Sequence, residues 1–256
     1  MSPTQPYLIG IAVYDGVDLL DVSVPYELFN WMAQLEPGIN PAAPAREVRL
    51  VSLDGASVKT RDKLTLGGDL PGLCVDDVFD LLWIPGGDPD RLQTLMRDQA
   101  TMQLLWQAGS STQYTATVCE GALLAAAAGL LDGYNATTHW AFIACLKLFP
   151  AINVAPEWPR YVIDRNRISG GGISSGLDEA LALIALIAGD TVARNVQLMV
   201  QYNPKPPFND GDPSVARPPI YTPGEDSSCD ITGMAATIAS VLAGGQGDIA
   251  LVCGKV

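Results

Sequence analysis

Short apolar, β-branched runs that pass within a few residues into longer helical runs recur along this chain, and that alternation limits its fold more than any other feature. "QYTATV" (113 to 118) followed by "EGALLAAAAGLL" (120 to 131) is one instance, with Cys119 alone at the join. "YLIGIAVY" (7 to 14) reads as a strand and leads through a loop to a helix from about Pro25 to Ala33. "REVRLVS" (46 to 52) alternates as a strand, and "KLTL" is placed to pair nearby. "DLLWIPGG" (80 to 87) reads as a buried strand ending in a Gly-rich turn, with a helix after it over about 89 to 108. Further on, a helix through "WAFIACLKLF" runs to Pro150, and two short strands bracket "DRNR". "SGGGISSG" then opens a helix over 177 to 188, and another covers 190 to 202. Strands and helices at this spacing predict an α/β fold: a mostly parallel sheet with helices on both faces. Nothing in the pattern marks a second domain, so the expectation is one domain over 1–256. Within it 203–227 is a Pro-rich strap and about 229–243 a last helix.

Composition narrows the function classes. Hydrophobic residues at 48% and charged residues at 17% fit a large buried core rather than a disordered chain. The longest apolar runs are about half of what a bilayer-spanning helix needs. A net charge of −13 opposes contact with a polyanion, which disfavours nucleic acid as a partner. No basic residue precedes the first apolar run, so no secretory signal is read and the cytoplasm is the expected location. The five cysteines (Cys74, Cys119, Cys145, Cys229, Cys253) are widely spaced, with no CxxC and a single histidine in the chain. That spacing disfavours a disulfide framework and a zinc site; no metal and no cofactor are expected.

In an open parallel sheet, ligands gather beyond the carboxyl ends of the strands, where Cys119 and the "PGGD" turn at 85 to 88 both fall. A side chain on a sharp strand-to-helix turn stands out from the sheet beside the unpaired N–H groups of the helix, which favour a thiolate. The same arrangement places backbone donors, those of Glu120 and Gly87, near charge developing on a substrate, with Gly86 beside them. Free cysteines are also often small buried apolar residues, and from pattern alone the two readings of Cys119 stand level. The flanking Val, Ile, Leu and Trp predict a small, mainly apolar pocket.

Five blocks in order, "YDGVDLLDVSVPYELF", "LLWIPGGDPDRL", "ATVCEGALLAAAAGLLDGYNATTHW", "ISGGGISSGLDEALALIA" and "VQLMVQYNPKPPFNDGDP", resemble the ThiJ/PfpI superfamily. Within it the chain is most similar to isonitrile hydratases, over about residues 7 to 213. The resemblance implies a flavodoxin-like three-layer sandwich, usually a homodimer, with Cys119 as nucleophile and Asp21 as its acidic partner. It also implies a small apolar isonitrile as substrate and a formamide product, reached through a thioimidate on Cys119. Without the family, Asp21 reads as a helix N-cap, and Asp15 and Asp18 as solvated turn residues. The "GLLDG" and "ATTHW" block is shared with amidase-like domains of certain transcription regulators; the acidic chain, with no helix-turn-helix region after this block, disfavours a regulator.

Glu120 departs from the resemblance, because hydratases carry a small hydroxyl residue there. It reads either as a solvated first-turn acid or, if it faces the pocket, as a group that raises the thiol pKa or adds acid/base capacity. His139 falls where many relatives keep a histidine near the cysteine, and it reads as a structural histidine or as a base. Gly171 and Ile173 are pocket candidates, or else pack the start of a helix. Glyoxalase-type or other thiol-based carbonyl chemistry, and a non-catalytic redox sensor or chaperone, are the competing functions.

Overall fold

The computed structural model describes residues 5–53, 57–67 and 70–244. Strand β1 (Tyr7–Val13) leads into α1 (Leu19–Ile39), then β2 (Arg46–Ser52) and the two-residue strands β3 (Val58–Lys59) and β4 (Thr65–Leu66). Next come β5 (Leu81–Ile84), α2 (Pro89–Arg97), α3 (Gln99–Ser110), β6 (Tyr114–Thr117) and α4 (Gly121–Ala127). A smaller set follows: β7 (Asn135–Ala136), α5 (Ile143–Leu146), β8 (Asn153–Val154), β9 (Tyr161–Asp164) and β10 (Arg167–Gly170). The chain closes with α6 (Ser175–Ala188), α7 (Asp190–Met199) and α8 (Met234–Gly244).

Six strands form the main sheet in the order β2-β1-β5-β6-β10-β9. All neighbours run parallel except β9, which pairs antiparallel with β10 at one edge. Strand β5 is buried on both faces, as a central parallel strand must be when helices cover both sides. The result is the expected flavodoxin-like α/β sandwich. The carboxyl ends of β1, β5 and β6 share one rim, and each hands over there to a helix.

Several helix boundaries differ from the sequence reading, each for a local reason. The helix expected over 89 to 108 is two helices, because Asp98 caps the second: its carboxylate accepts from Ala100 N–H and from the Thr101 hydroxyl. Helix α4 ends near Ala127, with Gly129 in the left-handed region at φ 77°, well short of residue 131. Around Cys145 the expected long helix shrinks to a 3₁₀ turn at Trp140–Phe142 and the short α5. The last helix begins at Met234, five residues later than expected.

The expectation against disulfides is overturned, since Cys145 in α5 is bonded to Cys229, 84 residues later. Spacing could not show the pair, because the chain between them runs out through β9, β10, α6 and α7 before it returns. Cys253 lies outside the described residues, and Cys119 is the one free cysteine within them. The bond anchors the Pro-rich segment against the body of the fold. Tyr221 packs edge-on to Trp140 at 5.4 Å, and Asp226 accepts from both Tyr221 Oη (2.6 Å) and Trp158 Nε1 (2.9 Å).

Replacing Cys145 and Cys229 together by serine is expected to cost roughly 2–4 kcal/mol of stability, since the bond closes a long loop. Denaturant melts measure the loss, and limited proteolysis is expected to cut the 203–233 stretch first. An unchanged midpoint would show that the bond does not constrain the chain.

Candidate active site

Cys119 sits between β6 and α4 at φ 56°, a conformation that side chains other than glycine seldom adopt. Two hydrogen bonds hold it there: Cys119 N–H donates to the Gly171 carbonyl (3.0 Å), and the Thr138 hydroxyl donates to the Cys119 carbonyl (2.8 Å). A Cβ at Gly121 would lie 2.1 Å from the Ile84 carbonyl oxygen, so only glycine lets the helix begin this close to β5.

Asp21 comes from the first turn of α1. Asp18, three residues earlier, is the N-cap, accepting from Leu20 N–H. Asp18 is also buried and paired with Arg61 at 2.8 Å, not the solvated turn residue expected from sequence. Helix α1 starts at Leu19, so Pro25 lies inside it rather than opening it. A proline has no N–H to give to the carbonyl four residues back, which here is that of Asp21. The indole Nε1 of Trp83 in β5 donates to that carbonyl instead, at 3.0 Å. Gly86 N–H donates to the Asp21 carboxylate at 2.9 Å. Backbone and side chain of Asp21 are therefore both fixed to β5 and the turn that follows it.

These constraints bring three acids together. One donor atom each from Asp21, Cys119 and Glu120 lies within 4.8 Å of the others, with the residues 1%, 2% and 7% exposed. Glu120 faces inward, and its carboxylate hydrogen-bonds the Cys119 thiol, while its own N–H also points at the sulfur. Burial pushes the Cys119 thiol well above its ordinary value, and the charges of Asp21 and Glu120 add to the effect. A thiolate favoured by the helix terminus, as expected from sequence, is thus not what this site holds at rest. Asp21 is likewise raised well above the carboxylate range, first by burial and then by Glu120, against the opposing Gly86 N–H bond. Glu120 is raised by burial, an effect its bond to the thiol partly offsets. The immediate surroundings of the sulfur are acidic rather than apolar, because the Glu120 side chain turns in toward it.

Of the two glycines, Gly86 is the one at the thiol. A Cβ there would fall 2.4 Å from Glu120 Oε2 and 2.9 Å from Cys119 Cβ. Gly87 instead packs on the Gly16 carbonyl and Val17, bridging the loops after β1 and β5. Gly171 supports the elbow through its carbonyl, and Ile173 packs against the core. His139 caps the 3₁₀ turn, its Nδ1 accepting from Ala141 N–H at 3.3 Å, and its ring edge faces Gly172. Burial lowers its pKa to about 4, so it is neutral near pH 7.

Three residues near the site escape sequence reasoning. Tyr14 is fully buried at the end of β1, donates to the Pro85 carbonyl (3.0 Å) and feels the charge of all three acids. Arg61, beside Asp18, is a cation that opposes the raised pKa values of Asp21 and Glu120. Glu179 of α6 is completely buried against Gly170, with neither carboxylate oxygen hydrogen-bonded. Only Tyr14 carried a signal, as the polar end of an otherwise apolar strand.

The sequence signature described as the DJ-1/PfpI family matches residues 8–186. An isonitrile hydratase of Pseudomonas putida is 35% identical over 210 residues, covering 81% of this chain and 84% of that protein. The HTH-type transcriptional regulator GbdR of Pseudomonas aeruginosa is 29% identical over 202 residues, 77% of this chain but 51% of the regulator. Among solved structures, a ThiJ/PfpI family protein from Pseudomonas syringae superposes with a TM-score of 0.74 at 26% identity, covering 93% of this chain and 91% of that one. Drosophila melanogaster DJ-1beta shares the fold at 17% identity, with a TM-score of 0.66 over 78% of this chain and 100% of that one.

Gly86→Ala puts a Cβ under 3.0 Å from the Glu120 side chain and from its backbone nitrogen. It is expected to shift Glu120 at the elbow and change the rate of Cys119 alkylation at least ~10-fold, the effect of one lost charge-assisted contact. An unchanged rate would mean that the contact with Glu120 does not set the reactivity of the thiol. His139 makes a second test. Between its ordinary pKa and about 4, the unfolded chain takes up a proton that the folded chain refuses, so its contribution to stability falls as pH drops through that window. Acid melts of His139→Asn are expected to fall less steeply than those of the wild type over that range; identical slopes would contradict a buried neutral imidazole.

Proposed function

This chain belongs to the DJ-1/PfpI family, and on that basis we propose that it is a cysteine-dependent hydratase that converts isonitriles to N-substituted formamides. The observation that carries the reading is the buried trio, in which the Cys119 thiol is bonded to one carboxylate and lies beside a second that burial favours in its protonated form. An isonitrile needs a nucleophile and a proton at the same terminal carbon, and a thiol with one basic and one acidic neighbour supplies both. The similarity to an isonitrile hydratase over most of both chains supports the same substrate class.

In the first half-reaction Cys119 Sγ bonds to the isonitrile carbon as its proton passes to Glu120. Asp21 protonates that carbon, and the product is a neutral thioimidate. In the second, Asp21 takes a proton from water as the hydroxyl adds to the carbon, and Glu120 returns its proton to nitrogen. The tetrahedral adduct then collapses, the C–S bond breaks, and the hydroxyl proton returns to sulfur as the formamide leaves. Each side chain ends as it began, and the net change is addition of one water. Glu120 in this scheme is the acid/base group at the position where the resemblance leads one to expect a small hydroxyl residue. A peroxide sensor would need an exposed, low-pKa thiolate, and Cys119 is neither. We place the active form as a homodimer. Among the described residues no helix is long and apolar enough to cross a membrane.

Formamide release from a simple aryl isonitrile tests the reading. Cys119→Ala is expected to abolish turnover, and Asp21→Asn and Glu120→Gln each to reduce kcat by roughly 10²–10⁴, the range for loss of a general acid or base. Absence of turnover in the wild type would overturn the function, and full activity in Glu120→Gln would overturn the role of that residue. Light scattering that gives the mass of one chain would contradict the dimer.

A further inference from the structure

The geometry points to a second use of the same trio: Cys119 Sγ, one oxygen of Asp21 and one of Glu120 form a three-donor site for a divalent cation of the zinc class. The three donor atoms lie within 4.8 Å of one another on residues that are all more than nine-tenths buried. A tetrahedral zinc holds sulfur and carboxylate oxygens about 3.4–3.6 Å apart, from its usual bond lengths, so binding draws inward those donors that stand farther apart. Asp21 contributes the independent observation. Its Oδ2 accepts from Gly86 N–H, while Oδ1, in a residue 1% exposed, has no hydrogen-bond partner. A buried carboxylate oxygen left in that state wants a proton or a cation.

One thiolate with two carboxylates suits a borderline-soft ion, since hard ions prefer an all-oxygen set and Cu(I) prefers more sulfur. Three protein donors leave a fourth position for water or for a small ligand with a free electron pair. Binding displaces the thiol proton, and any carboxyl proton, to solvent. A filled site removes the free sulfur that the hydratase reading requires, so metal and thiol chemistry exclude each other. The site itself rests on the donor geometry and not on that reading.

Co²⁺ added to the whole chain, with its disulfides intact, provides the test because a thiolate-to-cobalt charge-transfer band reports sulfur ligation without any turnover. The expected result is a band that saturates at one equivalent and is removed by Zn²⁺. It is expected to disappear in Cys119→Ser and to require ~10-fold or more added metal in Glu120→Gln and in Asp21→Asn, each near-isosteric. A wild type without the band, a band that survives Cys119→Ser, or one unaffected by both carboxylate variants would each overturn the proposal. Circular dichroism of the variants separates lost ligation from lost fold, and a protein that binds cobalt but hydrates no isonitrile would keep this site while losing the proposed function.

Discussion

Asp21 is held at both its ends, and the rest of the site depends on that restraint. The lack of an N–H on Pro25 frees the Asp21 carbonyl, Trp83 Nε1 takes it, and the Gly86 N–H takes the carboxylate. Hydrogen bonds buried this deeply contribute about 1 kcal/mol each when made, and leave a costly orphan when broken. Their larger effect is geometric. They fix the first turn of α1 to β5 and to the turn after it, the same turn against which Glu120 packs. The elbow is then fixed from the other side by Gly171 and Thr138. Three residues from separate parts of the sequence thus meet without any of them being free to withdraw.

What those restraints impose is electrostatic. Three acids in a dry site cannot all ionise, so they share protons, and the thiol keeps its own. The partial positive charge of a helix start acts on Cys119, but desolvation and two adjacent carboxylates outweigh it. Arg61 opposes this for Asp21 and Glu120, but its ion-pair partner Asp18 raises both carboxyls by more than Arg61 lowers them. Reactivity in such a site comes from moving a proton at the moment of bond formation, not from a standing thiolate. This is chemistry suited to a substrate that must be protonated as it is attacked.

The sheet was legible in the sequence because β1, buried between two helical layers, leaves an unbroken apolar run and the edge strand β2 alternates; both fall within a residue of where the pattern puts them. Cys119 was legible too, since one cysteine between a β-branched run and an alanine-rich run leaves few geometries open. The helices were less so. Asp98 divides one by capping, and Pro25 is tolerated inside another because a tryptophan from a distant strand replaces the missing bond. Neither compensation is local in sequence. From the residues alone Asp21 reads as the cap and Asp18 as a turn residue; in the structure Asp18 is the cap, and the tertiary contact with Gly86 is what brings Asp21 into the site. The Cys145–Cys229 bond and the inward turn of Glu120 depend on where the chain returns after many residues, which periodicity does not encode.

The central claim is that Cys119 rests as a thiol hydrogen-bonded to Glu120, and the pH profile of its alkylation by iodoacetamide tests it most directly. The account predicts a rate that is still rising above the ordinary cysteine range near 8.5, with the profile of Glu120→Gln displaced to lower pH because one raising charge is gone. A wild-type rate that levels off below neutrality would show a resting thiolate, a Glu120→Gln profile that coincides with the wild type would show a thiol that Glu120 does not influence, and either would contradict the account.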